Sequence, residues 1–401
     1  MPEAADTSAV PRPLRVLLFA NTEWYLFNFR LALAKAARAE GAEVMMASPP
    51  GPYGEKLRAE GFRWVSVPMV RRSLNPMREV FVLWALWRLY RREKPDIAHH
   101  FTIKCVVYGG LAAKLAGTRG VVGAVTGMGY VFSSKELIAR RLRPLVRRLL
   151  RFAISGRQSR LIVQNPDDRR AVVDAGLMDA SHVRLIAGSG VDTQRYHPRS
   201  DALCASGRTP SVVFAARLLW DKGVAEFVRA AQVLRAEGLD IQFLVAGEPD
   251  EGNPASVPEE QLTAWREEGS VRLLGHVQDM PALMATADVV VLPSYREGVP
   301  RSLIEAAAAG LPIVTTDVPG CREVVEDGVN GILVPVRDAA ALTTAIRKLA
   351  LDPSLASRMG AASRQKALAQ FDERIVLANT LAVYRELVPE GRIADSLITA
   401  G

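Results

Sequence analysis

Cysteine is scarce in this chain: Cys105, Cys204 and Cys321 stand far apart and are odd in number. That excludes a disulfide framework and a four-thiolate zinc site, and it suits a reducing compartment. Asp-x-Asp occurs nowhere, and the five histidines form no ligand cluster in the sequence. No metal and no resident cofactor are therefore expected. Long apolar runs are also missing. The longest, VFVLWALW at 80–87, falls far short of the roughly 18 residues of a membrane span. Residues 1–13, MPEAADTSAVPRP, contain no apolar segment and read as a disordered leader rather than a signal peptide.

What is present is enough for two cores. The chain has 401 residues, 49% of them apolar, too long for one compact hydrophobic centre and about right for two domains. Charge is unevenly spread. Residues 1–210 carry 33 Lys and Arg against 17 Asp and Glu, whereas residues 211–401 carry 18 against 26. One half therefore faces something anionic: nucleic acid, a membrane surface or a phosphorylated substrate.

Short apolar runs alternate with helical stretches. LRVLLFA (14–20), AEVMMAS (42–48), RWVSVP (63–68), DIAHH (96–100), GVVGAVT (120–126), RLIVQN (160–165) and HVRLIA (182–187) read as buried parallel strands. Helices are expected over about 28–40, 76–93 and 105–117. The rhythm restarts with SVVFAAR (211–217), IQFLVAGE (241–248), VRLLGHV (271–277), DVVVLPS (288–294) and LPIVTTD (311–317). The fold class is α/β, with two Rossmann-like doubly wound parallel sheets and an expected cleft between them. The expected boundaries are 14–190, a linker at 191–210, 211–370, and a C-terminal helix over 371–401 that packs back on the first domain.

Two local patterns carry chemistry. In YREGVPRSLIEAAAAGLPIV (295–314), Glu297 precedes a tight Gly298–Val299–Pro300 turn, and Glu305 lies about one turn inside the following helix. Open amides at that helix start can meet a phosphorylated or oxygen-rich ligand. The two carboxylates can accept from separate ligand hydroxyls, or they are merely solvated charges. In FAARLLWDKG (214–223), Arg217 closes a strand and Lys222 follows before a glycine and a helix. That pair of cations suits a diphosphate; the alternative is a surface ion pair of Arg217 with Asp221.

Together with GSGVDTQRYHP (188–198), GHVQDMPALMATADVVVLPS (275–294) and TDVPGCREVVEDGVNGILVP (316–335), these patterns resemble the retaining glycosyltransferases of family 4, with their GT-B architecture. The segments RRSLNP (71–76), HHFTIK (99–104), GLAAKLAG (110–117) and VTGMGYVF (125–132) are similar to the branch that extends polyprenyl-diphosphate-linked sugars, such as N-acetylgalactosaminyltransferases. The resemblance implies a metal-independent transfer from a UDP-sugar, with Arg217 and Lys222 on the donor diphosphate and its leaving charge. It puts Glu305 on the ribose, Glu297 with Gly298, Val299 and Pro300 on the donor sugar, His276 and Val277 at the nucleobase, and Gly190 near the phosphates. His99 or His100 would reach the donor sugar, although relatives often show His-x-His where this chain has His-His-Phe. Relatives also often carry a Gly-Gly loop after the first strand; here NTEWYLFNFR (21–30) stands in its place, so Asn21, Asn28 or Arg30 would help instead. Lys104 and Arg30 are candidates for the acceptor's diphosphate.

Residues 135–160 hold nine basic residues and one acid. Arg140, Arg141, Arg143, Arg147, Arg148 and Arg151 interleave with Ile138, Leu142, Leu145, Leu149 and Phe152 at helical spacing, and Pro144 is expected to break or kink the run, giving two short helical pieces or a helix that starts at 144. Such a basic amphipathic helix suits an anionic membrane surface, placing the protein in the cytoplasm, peripheral on the inner face of the cell membrane. A solvated arginine face or a subunit contact is the alternative reading; no RNA-stacking motif or zinc finger supports nucleic acid. Two other functions share parts of this pattern: a UDP-sugar 2-epimerase and a non-catalytic scaffold of a polysaccharide assembly complex.

Overall fold

The structure is a computed structural model that describes residues 12–71, 73, 75–125, 137–199 and 208–388, with the side chains of 137–143 outside the description. It resolves into two compact units, 1–186 with 377–401, and 187–376.

In the first unit seven parallel strands run in the order β3-β2-β1-β4-β5-β6-β7. They are β1 (Arg15–Phe19), β2 (Glu43–Ser48), β3 (Arg63–Ser66), β4 (Ile97–Phe101), β5 (Gly120–Val125), β6 (Ser159–Val163) and β7 (Val183–Leu185). Every residue of β4 and β5 is buried, as expected for central strands covered on both faces. The connecting helices are α1 (Glu23–Ala39), α2 (Tyr53–Ala59), α3 (Pro76–Glu93), α4 (Ile103–Ala116), α5 (Leu137–Ile154) and α6 (Pro166–Asp174). Asn75 caps α3 by accepting from the Met77 and Arg78 amides, with Pro76 in the first turn, where its missing N–H costs nothing.

The second unit repeats the plan with six parallel strands in the order β10-β9-β8-β11-β12-β13. These are β8 (Ser211–Ala215), β9 (Gln242–Ala246), β10 (Arg272–Gly275), β11 (Val289–Leu292), β12 (Ile313–Thr316) and β13 (Gly331–Val334). Its helices are α7 (Val224–Ala236), α8 (Glu259–Glu268), α9 (Met280–Thr286), α10 (Arg301–Ala308), α11 (Cys321–Val324), α12 (Ala339–Leu351) and α13 (Pro353–Lys366); α14 (Glu373–Arg385) begins here and ends in the first unit. In each sheet the strand order reverses beside the first strand, between β1 and β4 and between β8 and β11. Loops diverge there, and ligands of such folds bind there.

Three expectations need correction. Helix α1 starts at Glu23, not near 28, because the Thr22 hydroxyl accepts from the Tyr25 amide and sets the N-cap; most of NTEWYLFNFR is therefore helix. Strand β13 was not read from the sequence, since GILV sits inside a glycine-rich segment. Helix α5 runs through Pro144 unbroken. The proline removes one N–H, yet α5 packs on α4 and buries Leu150, Ala153 and Ile154, and that packing outweighs one missing bond. VTGMGYVF, apart from Val125, lies outside the described residues.

The chain returns to the first unit beyond Leu377. Tyr384, fully buried, meets His99 Nδ1 through its hydroxyl at 2.7 Å. Arg385 donates to the buried Glu40 at 2.8 Å, and Glu386 accepts from Arg160 and Arg184 at 2.6 Å each.

Asp372 ties α14 into the second unit. It accepts from the Thr193 hydroxyl at 2.5 Å and from Arg374 Nε and Nη2 at 2.9 and 3.0 Å. The Arg374 guanidinium first, then the Thr193 hydroxyl and the Arg374 amide, hold the Asp372 carboxyl at about 2, against the opposing effect of burial. A carboxyl depressed from 3.8 stabilises the fold fully above its unfolded value and loses that contribution as the pH falls toward the folded one. We expect Asp372→Asn to cost the second unit about 2 kcal/mol at neutral pH. In urea unfolding followed against pH, the two proteins should converge between about pH 4 and pH 2.

Candidate active site

The ends of β8 and β11 are locked together by backbone. Gly223, at φ 75°, follows the short turn Trp220–Lys222, and a Cβ there would lie 2.1 Å from the Pro293 carbonyl oxygen. Only glycine permits that approach. The Tyr295 amide and the Ser294 hydroxyl both donate to the Asp221 carbonyl, at 2.8 and 3.1 Å. The Tyr295 hydroxyl donates to Glu226 at 2.7 Å.

This clamp brings Lys222 to Glu297. Nζ donates to Oε1 at 2.6 Å, with the two side chains 16% and 12% exposed. Arg217 pairs with Asp250, not Asp221, at 2.6 Å, and its own side chain stays half exposed. The Glu297–Gly298 carbonyls rest on Gly320, whose φ is 83° and whose Cβ, if present, would lie 1.9 Å from the Gly298 oxygen. Cys321 follows that glycine and starts α11. Burial, with the Glu297 carboxylate adding to it, pushes its thiol up to about 12, so it is no nucleophile at neutral pH.

Helix α10 begins after Pro300 with no side chain capping it, and its Leu303 and Ile304 amides donate to the Pro300 carbonyl at 3.2 and 3.3 Å. Inside it the buried Glu305 accepts from Arg301 Nε at 2.8 Å and from the Tyr196 hydroxyl. Burial first, and then Glu305, raises the Tyr196 hydroxyl. Arg364 donates to the Tyr196 carbonyl at 2.7 Å and to the Ala308 carbonyl, joining α13 to the loop and to the end of α10. Asp250, Arg301, Tyr196 and Cys321 were not singled out in the sequence. Tyr196 and Cys321 lay inside quoted motifs, but their roles depend on burial, which spacing does not report.

His276 and Val277 lie just past β10, His276 exposed and Val277 half-buried. Gly190 stands at φ 76° against Glu373, at the start of α14.

The first unit buries both candidate histidines. His100 is fully buried, its Nε2 3.1 Å from the Tyr90 hydroxyl and its ring pressed on Gly109 of α4. Burial lowers it to about 3, so it is a neutral core residue. His99 is 1% exposed and also neutral, held well below the ordinary range by burial, then by Arg30 and His100. Neither imidazole is open to solvent. Lys104 is no free cation: it donates to the Val70 and Ser73 carbonyls at 2.9 and 3.0 Å and to Glu79 at 3.0 Å. Arg30 is 7% exposed, donates to the Tyr25 hydroxyl at 2.7 Å and lies over the Phe101 ring at 4.5 Å. Arg147 donates to the Ala175 carbonyl, while Arg148 and Arg151 are exposed. The side chains of Arg140 and Arg141 lie outside the description.

Two family models match: "Glycosyl transferases group 1" over residues 209–352 and "Glycosyl transferase 4-like" over residues 15–165. The chain is a GT-B glycosyltransferase. This glycosyltransferase is 27% identical, over 94% of its length and 99% of the relative's, to the N,N'-diacetylbacillosaminyl-diphospho-undecaprenol alpha-1,3-N-acetylgalactosaminyltransferase of Campylobacter jejuni. It is 25% identical, over 78% of its length and 80% of the relative's, to the UDP-Gal:alpha-D-GlcNAc-diphosphoundecaprenol alpha-1,3-galactosyltransferase of Escherichia coli. Its fold matches Anabaena Alr3699/HepE in complex with UDP and glucose at a TM-score of 0.74, with 20% identity over 92% of this chain and 99% of that one. Sucrose-phosphate synthase from Thermosynechococcus elongatus matches at 0.75, with 20% identity over 93% and 99%.

The seating of the Glu297 loop on Gly320 gives a test within the glycosyltransferase. Gly320→Ala should lower turnover on the order of 10–100-fold, because misplacing such a loop by an ångström is enough. Gly328→Ala also substitutes a glycine of positive φ, but into open space. It should keep near-normal turnover, so comparing the two in one steady-state assay separates the contact from backbone strain.

Proposed function

We propose that the enzyme moves an N-acetylhexosamine from a UDP-sugar to a polyprenyl-diphosphate-linked saccharide, with retention at the anomeric carbon and without a metal. The observation that carries the reading is the Lys222–Glu297 pair, held by the β8–β11 clamp beside the start of α10, which no side chain caps. The names of the Campylobacter and Escherichia relatives, both acting on diphospho-undecaprenol-linked sugars, support the choice of acceptor.

In this reading Lys222 and the half-exposed Arg217 meet the two donor phosphates, and the α10 amides add positive potential. Glu305, already oriented by Arg301 and Tyr196, keeps lone pairs for the ribose hydroxyls. His276 and Val277 lie at the base. Glu297, Gly298, Val299 and Pro300 hold the sugar, and Gly190 stands near the phosphates. The acceptor hydroxyl attacks C1 on the face from which the diphosphate leaves. The C1–O bond to the phosphate breaks, the new C1–O bond forms, and the hydroxyl proton passes to a leaving phosphate oxygen. Lys222 and Arg217 offset the charge that develops there, the work a divalent cation does elsewhere. The first unit serves the acceptor, with Arg30 as its buried cation, and the protein works at the inner face of the cell membrane.

Removing one charge-assisted contact to the diphosphate costs about 1.5–3 kcal/mol. Lys222→Ala should therefore weaken UDP binding about 10–100-fold in titration calorimetry. Lys222→Ala with Glu297→Gln should recover part of that loss, since it removes the carboxylate left facing the phosphates. Unchanged binding in the single variant overturns the assignment. Transfer should also survive EDTA; activity lost in EDTA and restored by Mg²⁺ or Mn²⁺ would remove the leaving-group role from the two cations.

A further inference from the structure

Helix α3 is apolar on two opposite faces. Val82, Leu86, Leu89 and Tyr90 are buried in the core of the first unit. On the other side Met77 is 81% exposed, Val80 67%, Phe81 53%, Trp84 45% and Trp87 36%. At 3.6 residues per turn these five fall within about a third of the helix circumference, opposite the buried set. A helix with apolar residues all round belongs inside a protein or against another apolar phase. Among the described residues nothing covers this face.

Charge identifies the phase. Arg88 and Arg91 continue the same stripe toward the C-terminal end, beside Arg92 and the capping Lys94, and all four are exposed. The two acids of α3 are neutralised: Glu79 by Lys104, and Glu93 by Arg63 and Arg92. The stripe thus passes from aliphatic and aromatic side chains to exposed cations, and Arg88 already lies over the Trp84 ring at 5.5 Å. Tryptophan and arginine in that order suit the boundary between acyl chains and anionic headgroups. The pattern extends sideways. Helix α4 packs on α3 and exposes Leu115; α5 packs on α4 and exposes Leu145 and Phe152 among Arg148 and Arg151.

We propose that α3 is an interfacial anchor that lies in the plane of an anionic lipid surface. Met77, Val80, Phe81, Trp84 and Trp87 sit in the acyl boundary, and Arg88, Arg91 and Arg92 reach the phosphate level. The proposal extends the lipid-acceptor reading, yet its test needs no acceptor. It also differs from attraction by the α5 arginines alone: an apolar anchor is weakened by salt but not abolished by it.

The experiment uses the full chain with vesicles of phosphatidylcholine and phosphatidylglycerol. Wild-type tryptophan fluorescence should shift to the blue and be quenched when the acyl chains carry bromine, and binding should persist at high salt. Phe81→Ser/Trp84→Ser/Trp87→Ser, all on the exposed face, should reduce vesicle partition on the order of 100-fold while UDP binding and transfer to a short water-soluble acceptor stay normal. Absence of quenching in the wild type, or undiminished partition of the triple variant, overturns the proposal. So does a wild-type dimer in sedimentation that the triple variant abolishes, which would assign the face to a second copy of this chain. Vesicle binding through α3 without transfer to any lipid-linked acceptor would sink the substrate reading and leave the anchor standing.

Discussion

Everything proposed for the second unit depends on keeping one ammonium and one carboxylate 2.6 Å apart at the reversal point of a parallel sheet. Taking two charges mostly out of water is costly, and an ion pair with both side chains this covered is weak support for a fold. The arrangement persists because backbone, not charge, holds it. Gly223 lets the loop after β8 touch Pro293, and Gly320 lets the loop after β12 touch Gly298. The pair is thus positioned by contacts that do not vary with its own protonation or with what approaches it. In the proposed donor complex a diphosphate would exchange one anionic partner of Lys222 for another, so little new charge would have to be desolvated.

The same logic separates the two units chemically. In the second, the cation at the end of β8 is paired yet half open, as Arg217 is on Asp250, while Glu305 inside α10 is buried under Tyr196 and Arg301. In the first, the strand end holding His99 and His100 is sealed by Tyr90, Phe101 and Tyr384. Its buried imidazoles are neutral packing elements, and its exposed cations lie on helix faces, among them Arg88, Arg91, Arg148 and Arg151.

Legibility in the sequence followed this division. The α/β alternation was plain, because β1, β5, β8 and β11 are short apolar runs that only a sheet covered on both faces can hide. Lys222 and Glu297 stood out as candidates because charged residues beside glycine and proline at a strand end have few structural uses, and the structure pairs the two. What spacing does not encode is who meets whom. Arg217 chose Asp250, thirty-three residues away, over its near neighbour Asp221, and Lys104, read as a candidate for the acceptor's diphosphate, donates to two carbonyls and Glu79. Strand β13 hid behind Asn330 and Gly331, and α5 was expected to break at Pro144 because local propensity cannot see the packing on α4. The two family models and the fold neighbours agree with the architecture read from those patterns, and they leave the roles of individual residues to the geometry.

The return of the chain to the first unit also fixes an order of events. His99 and Glu40 meet Tyr384 and Arg385 at sequence separations of 285 and 345, among the most distant pairings in the described residues. The whole second unit lies between those partners in sequence. During synthesis it emerges complete, and is free to fold on local contacts, while the first unit still lacks the Arg385 and Tyr384 partners of Glu40 and His99. The first unit to leave the ribosome is therefore the last to be finished, and until residues 384–386 appear it is the part of the nascent chain with most need of protection from aggregation.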